Sequence, residues 1–151
     1  MDFALSEEEA LIRDTARAIA REVIAPRASE VDWTGQFPHD NVKRLAELGF
    51  MGMMVPEEYG GAGFSTLAYA LAVEEISAAC ASTGVIMSVN NSLVCHPLQK
   101  FGSEAQKKHY LPRRAGGEWL GAYCLSEPDT GSDATTTIPP TASDVAYAAV
   151  L

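Results

Sequence analysis

Ser65-Thr66-Leu67-Ala68-Tyr69-Ala70-Leu71-Ala72-Val73-Glu74-Glu75-Ile76-Ser77-Ala78-Ala79-Cys80-Ala81-Ser82-Thr83-Gly84-Val85-Ile86-Met87-Ser88-Val89-Asn90-Asn91-Ser92-Leu93-Val94-Cys95-His96-Pro97-Leu98-Gln99-Lys100-Phe101-Gly102 is the stretch that decides the fold. Between Thr66 and Phe101 its only formal charges are Glu74, Glu75 and Lys100. Ser65 can cap a helix running to about Cys80, and Ser82 a second running to about Phe101, with Gly102 beyond its end. Helices this poor in charge lack a broad solvated face, so the pair is expected to form the buried centre of a helical bundle. Asn90, Asn91 and Ser92 then need partners; internal hydrogen bonding is expected, with a ligand pocket or subunit contact as the alternative. Glu74 and Glu75 point about 100 degrees apart on a helix, so they are expected to be structural rather than a shared carboxylate site.

Toward the N-terminus, Ser6-Glu7-Glu8-Glu9 fits a capping box that opens a first helix. Ile12, Ala16, Ile19 and Val23 recur at helical spacing and form its apolar stripe. Pro26 interrupts or restarts the helix, Thr34-Gly35 reads as a turn, and Pro38 suits the opening of another helix. Val42, Leu45 and Leu48 keep helical spacing there until Gly49 closes it. Phe50 to Phe64 is expected to be a loop: a Met-rich run, Pro56, then Gly60-Gly61-Ala62-Gly63. Those glycines lack the preceding strand of a dinucleotide fingerprint and are read as a connector. Met51, Met53 and Met54 are read as core filler.

Toward the C-terminus, Ser103 and Gln106 make a second capping-box candidate for a short exposed helix carrying Lys107 and Lys108, which Gly116-Gly117 ends. Arg113-Arg114 is placed on a surface turn. Trp119 to Leu125 has little helical periodicity, and Ser126-Glu127-Pro128-Asp129-Thr130-Gly131-Ser132-Asp133 is dense in turn formers, so helix gives way to strand and loop. Such a loop is most often just a turn, yet its composition suits a diphosphate: Gly131 allows close backbone approach, while Ser126 and Ser132 donate hydroxyl bonds without charge.

The chain has 151 residues, 47% of them hydrophobic, which is about one domain with a sizeable core. A formal charge of −9 and no basic run argue against nucleic acid as a partner. The acidic start resembles neither a secretory signal nor a transit peptide, and no apolar window is long enough to span a bilayer, so a soluble cytoplasmic chain is expected. Cys80, Cys95 and Cys124 are widely spaced without a Cys-x-x-Cys pair and read as reduced core residues. His39, His96 and His109 have no second ligand at useful spacing, so no metal site is expected.

Several ordered segments resemble the acyl-CoA dehydrogenase family: Phe3-Ala4-Leu5-Ser6-Glu7-Glu8, Glu47-Leu48-Gly49-Phe50-Met51-Gly52, Val55-Pro56-Glu57-Glu58-Tyr59-Gly60-Gly61 and Phe101-Gly102-Ser103-Glu104-Ala105-Gln106-Lys107. The most specific is Tyr123-Cys124-Leu125-Ser126-Glu127-Pro128 through Gly131-Ser132-Asp133. Val89-Asn90-Asn91-Ser92-Leu93 looks closest to short-chain, butyryl-type members. The resemblance implies a mainly α fold. Residues 1–116 would form a helical N-terminal domain, and 117–133 the first strand and flavin-binding loop of a truncated middle β-domain.

FAD is the cofactor so implied. Tyr123, Cys124, Leu125 and Ser126 would contact the flavin ring, Gly131 and Ser132 would approach the pyrophosphate, and Ser132 would also contact acyl-CoA. The family's catalytic Glu lies in a later helical domain and no Glu here matches it, so no catalytic residue is expected in this chain. An electron-transfer flavoprotein would take the electrons, and a homo-oligomer, a tetramer in the family, would form at full length. Two alternatives stand beside this reading: a non-catalytic helical module that only associates with relatives, and an acyl-CoA oxidase fragment. Residues 134–151 depart from the family pattern, and Thr135-Thr136-Thr137-Ile138-Pro139-Pro140 with an Ala-rich end reads as a frameshifted or truncated tail. Thr130 stands where the family favours a smaller residue.

Overall fold

In the computed structural model, residues 4–123 are described. Their regular elements are helical, and none is long and apolar enough to cross a membrane. Helix α1 (Glu7–Ile19) begins at the expected capping box: the Ser6 Oγ accepts from the Glu9 amide at 3.2 Å, and the Glu9 carboxylate accepts from the Ser6 amide at 2.9 Å. Ile12, Ala16 and Ile19 are buried, but the fourth position of the stripe shifts from Val23, only half-buried, to Ile24. A π-helical turn, Ala20–Ile24, causes the shift, because each i→i+5 bond takes one more residue per turn than the α-helix does.

Pro26 therefore does not break the chain's course. It occupies the first turn of α2 (Ala25–Thr34), where its missing N–H costs nothing. The same pairing recurs further on. A second π segment, Val89–Cys95, runs into α6 (His96–Phe101), which carries Pro97 in its first turn. In each case the residue before the proline bonds five residues back, Ala25 N–H to Ala20 C=O and His96 N–H to Asn91 C=O. A proline ring presses on the carbonyl four residues upstream, and a widened turn relieves that pressure.

Gly35 ends α2 at φ 65, and Gly49 follows α3 (His39–Glu47) at φ 77, both in the left-handed region where a side chain is strained. Two 3-10 turns, Phe50–Gly52 and Glu57–Tyr59, then lead to α4 (Thr66–Ala79), capped by Ser65, whose Oγ accepts from the Ala68 amide at 3.1 Å. Cys80, in extended conformation, separates α4 from α5 (Ala81–Ser88), so Ser82 lies inside the first turn rather than at the cap. Gly84 permits this tight pairing, since a Cβ there would collide with Ser77 of α4. Helix α7 (Glu104–Ala115) starts at the Ser103–Gln106 capping box.

The main core joins α1, α3, the Met-rich turn, α4 and α5, with α1 packed chiefly on α4. Small residues make the contact close: Ala16 faces the core from α1, Ala68 and Ala72 from α4, all fully buried. Met51 and Met53 are fully buried core residues. Across the same interface Arg17 grips the Glu75 carboxylate with two bonds, 2.6 and 3.1 Å, while Glu74 is exposed. The two acidic neighbours thus point apart as their helical spacing requires.

The central pair is not buried all round. Helix α4 leaves Thr66, Leu67, Ala70, Glu74 and Ala78 exposed along one face, and α5 with its π extension leaves Ala81, Ser82, Val85 and Leu93 exposed. Val85 is 59% exposed and Leu67 49%, too much for a finished core. Their low charge thus reflects an apolar face that the described residues do not cover.

The irregular stretch after α3 is held by two side chains. Asn91 Oδ1 accepts from the Met53 amide at 2.9 Å, and its Nδ2 donates to the carbonyls of Phe50 at 2.9 Å and Met87 at 3.0 Å. Asn90 Nδ2 donates to the carbonyls of Met51 at 2.8 Å and Arg114 at 3.2 Å. Internal hydrogen bonding is thus what these amides do. Replacing Asn91 by Leu should lower stability by about 3 kcal/mol, because the buried Phe50 carbonyl and Met53 amide lose their partners; urea unfolding measures this, and a loss under about 1 kcal/mol would contradict it.

A second prediction concerns acid. The Arg17 hydrogen bond holds the Glu75 carboxyl below its ordinary 4.5, so the pair's contribution is complete above that value and fades as pH falls through the lowered one. Glu75→Gln should therefore flatten the acid limb of a melting-temperature profile, and an unchanged limb would show that the pair does not govern it.

Candidate cofactor site

Tyr123 is the one proposed cofactor residue within the described part of the chain; Cys124, Leu125, Ser126, Gly131 and Ser132 lie outside it. Tyr123 is 51% exposed. The segment leading to it is anchored. Trp119 N–H donates to the Arg113 carbonyl at 3.1 Å, the Arg114 Nη1 donates to the Leu120 carbonyl, and Gly121 N–H donates to Asn90 Oδ1 at 3.0 Å. Gly121 itself lies flat on the π segment, where a Cβ would meet the Val94 side chain at 2.5–2.7 Å.

Arg114 is not on a surface turn as its sequence position suggested. It is 4% exposed in the last turn of α7, beside Leu111 and Ala115. Among the described residues no carboxylate pairs with it, and its Nε has no hydrogen-bond partner. Burial lowers its pKa from the usual guanidinium value. Cys95 lies close by, and burial pushes its thiol up to about 12, against a smaller opposing pull from the Arg114 charge. The thiol is neutral and unreactive at ordinary pH. Helical spacing was the signal for Arg114: it follows Leu111 by three residues and so shares its inward face.

Arg113, by contrast, turns outward over the Trp119 ring, 4.3 Å from its centroid, and His109 meets the same ring edge-on at 5.8 Å. These contacts hold the exit segment on its outer side, as Asn90 and Val94 hold it on the inner side. Elsewhere, a groove of about 530 Å³ opens between the α2–α3 turn and the start of α5, lined by Val31, Phe37, Pro38, Val85 and Ile86 among others. No sequence signal marked it, because its walls come from segments far apart in the chain.

A half-open tyrosine at the end of an anchored, uncharged segment suits one edge of a planar ring. It encloses none of it. The other residues of the proposed flavin site lie outside the described part of the chain.

Comparison with known proteins identifies the family of the helical bundle. The profile of the acyl-CoA dehydrogenase N-terminal domain matches residues 6–118. The mitochondrial short-chain specific acyl-CoA dehydrogenase of Bos taurus is 49% identical over 130 residues, 86% of this chain and 32% of that protein. The butyryl-CoA dehydrogenase of Megasphaera elsdenii superposes with a TM-score of 0.81 at 35% identity, over 89% of this chain and 36% of that one. A chain from the structure of an electron transferring flavoprotein of Acidaminococcus fermentans gives a TM-score of 0.85 at 41% identity, over 90% and 36%. The chain spans about a third of the length of the curated relatives it matches. By the domain match, the fold and the level of identity, this chain belongs to the acyl-CoA dehydrogenase family, whose N-terminal helical domain it carries.

Proposed function

We propose that the chain supplies the N-terminal wall of a short-chain acyl-CoA dehydrogenase, and that residues 1–151 alone neither hold FAD tightly nor oxidise acyl-CoA. The observation that carries this is the span of the likeness: a domain match over residues 6–118, in a chain that spans about a third of its relatives' length. On this reading residues 1–116 form the helical domain, 117–133 open the middle β-domain, and 134–151 are an atypical tail. The whole enzyme would be cytoplasmic and oligomeric, with an electron-transfer flavoprotein as electron acceptor.

The family's enzymes are FAD-dependent, and bound FAD would accept the β hydrogen of the acyl-CoA as hydride. Tyr123, Cys124, Leu125 and Ser126 would line the flavin ring, with Ser126 donating its hydroxyl proton to it. Gly131 would let the backbone approach the pyrophosphate, where Ser132 would donate a hydrogen bond and also touch the substrate. Removal of the α proton needs a carboxylate within hydrogen-bond reach, and no Glu in this chain matches the family's base. A large cofactor is held by enclosing most of its surface, so one wall leaves the ring in water.

Purified residues 1–151 mixed with FAD and butyryl-CoA under anaerobic conditions should show neither stoichiometric bound flavin nor bleaching. Bound flavin that bleaches on adding substrate would mean that another carboxylate here serves as base, and would overturn the proposal. The open faces of α4 and α5 favour a second reading, in which the isolated chain associates without catalysing. Sedimentation should then show species larger than the monomer growing with concentration. A strictly monomeric chain at the highest concentration would remove that reading.

A further inference from the structure

We propose that Asn90 and Arg114 are positioning residues for the cofactor-binding segment, pegging residues 119–121 to the bundle so that Tyr123 leaves it at a fixed point. The inference rests on the reading that Tyr123 opens a flavin wall, and adds which distant residues aim it. Three observations carry it. Asn90, fully buried on the π segment, accepts from the Gly121 amide at 3.0 Å while its Nδ2 is committed to the carbonyls of Met51 and Arg114. That second pair of bonds fixes the orientation of the amide, so its oxygen can only face the exit segment. Arg114 is buried with an unpartnered Nε and, among the described residues, no carboxylate; its guanidinium bonds the Leu120 carbonyl.

A buried charge of this kind is a poor way to gain stability. Well-packed apolar side chains of similar volume are often neutral or stabilising replacements for buried ionic groups, so stability alone gives no reason for an arginine here. Its distinguishing contact is with the segment that leads to Tyr123. The third observation is steric. Gly121 rests against Val94 so closely that an added Cβ would meet the valine side chain at 2.5–2.7 Å, which leaves the segment a single seat between Asn90, Arg114 and the π segment. Asn90 grips the N–H of residue 121 and Arg114 the C=O of residue 120, the two polar groups of one peptide unit. A peptide plane held at both its donor and its acceptor cannot rotate, and its direction sets that of the chain beyond it.

The test uses the 151-residue chain in a Trp33→Phe background. Trp33 is 91% exposed, so its loss leaves Trp119 as the sole tryptophan without disturbing the core. Three variants, Arg114→Met, Arg114→Lys and Gly121→Ala, are compared by helical circular dichroism, by hydrogen exchange of the residue-121 amide, and by Trp119 anisotropy. The expected result is that Arg114→Met and Gly121→Ala keep the helical signal of the parent, while exchange at residue 121 rises at least tenfold and Trp119 anisotropy falls. Arg114→Lys, which retains a donor, should lie between parent and Arg114→Met.

A merely structural arginine would change helicity and exchange together and would show no rescue by lysine. Should Arg114→Met fail to fold, Gly121→Ala decides the matter, because it removes no polar group. Unchanged exchange at residue 121 in a folded Gly121→Ala chain, or no protection of that amide in the parent, overturns the proposal. All these readouts are taken without flavin, so a failure of the cofactor reading in the bleaching experiment is seen separately.

Discussion

Two adjacent amides on one widened turn of helix hold the irregular half of this molecule to the regular half. On an α-helix, neighbours diverge by about 100 degrees and seldom serve the same side. In the π segment Val89–Cys95 each turn holds more residues, so Asn90 and Asn91 both face inward and both are buried. Between them they satisfy the carbonyls of Phe50, Met51, Met87 and Arg114 and the amides of Met53 and Gly121. Ser92 completes the pattern by bonding the Ser88 carbonyl at 2.7 Å, which together with the Asn91–Met87 bond caps carbonyls at the start of the π segment. Without Pro97 downstream there would be less reason for the turn to widen.

The electrostatics follow a similar economy. The chain carries a net charge of −9, yet the interface between α1 and α4 is locked by a two-pronged Arg17–Glu75 pair, and the loop after Pro56 is tied to α7 by the Tyr59 hydroxyl on Glu104 at 2.9 Å. Glu104 is also held by Lys107, and the two partners together keep its carboxyl below the ordinary value. Such pairs join elements distant in sequence. They leave the open faces of α4 and α5 almost free of charge.

Much of this was legible in the sequence, and the reason differs from element to element. The caps at Ser6, Ser65 and Ser103 are local chemistry within four residues, so reading them needs no knowledge of the fold. The charge-poor central helices were legible as a pair, but not as half-covered, since composition records what a surface is suited to and not what reaches it. The two π segments were hidden because their signal, a proline two residues further on, also fits a simple break. Arg114 was hidden by its type: a charged residue between Arg113 and Gly116 reads as solvent-facing unless the spacing from Leu111 is given more weight. Of the proposed cofactor residues only Tyr123 lies among the described ones, and the segment before it has an anchored course that no motif encodes.

The reliance of the Met-rich turn on Asn90 and Asn91 also couples two distant parts of the chain. Residues 50–53 find their buried partners 38 to 41 residues further along the chain, so the turn keeps its shape only while the π segment Val89–Cys95 is docked against it. Capped helices assemble from local contacts, whereas a contact across such a span must first meet the entropy of closing the loop. Gly121 depends on the same Asn90, and Leu120 on an arginine whose own carbonyl that amide holds. The Met-rich turn and the segment at residues 120–121 are therefore seated by one and the same buried side chain, so the loss of Asn90 would loosen both together.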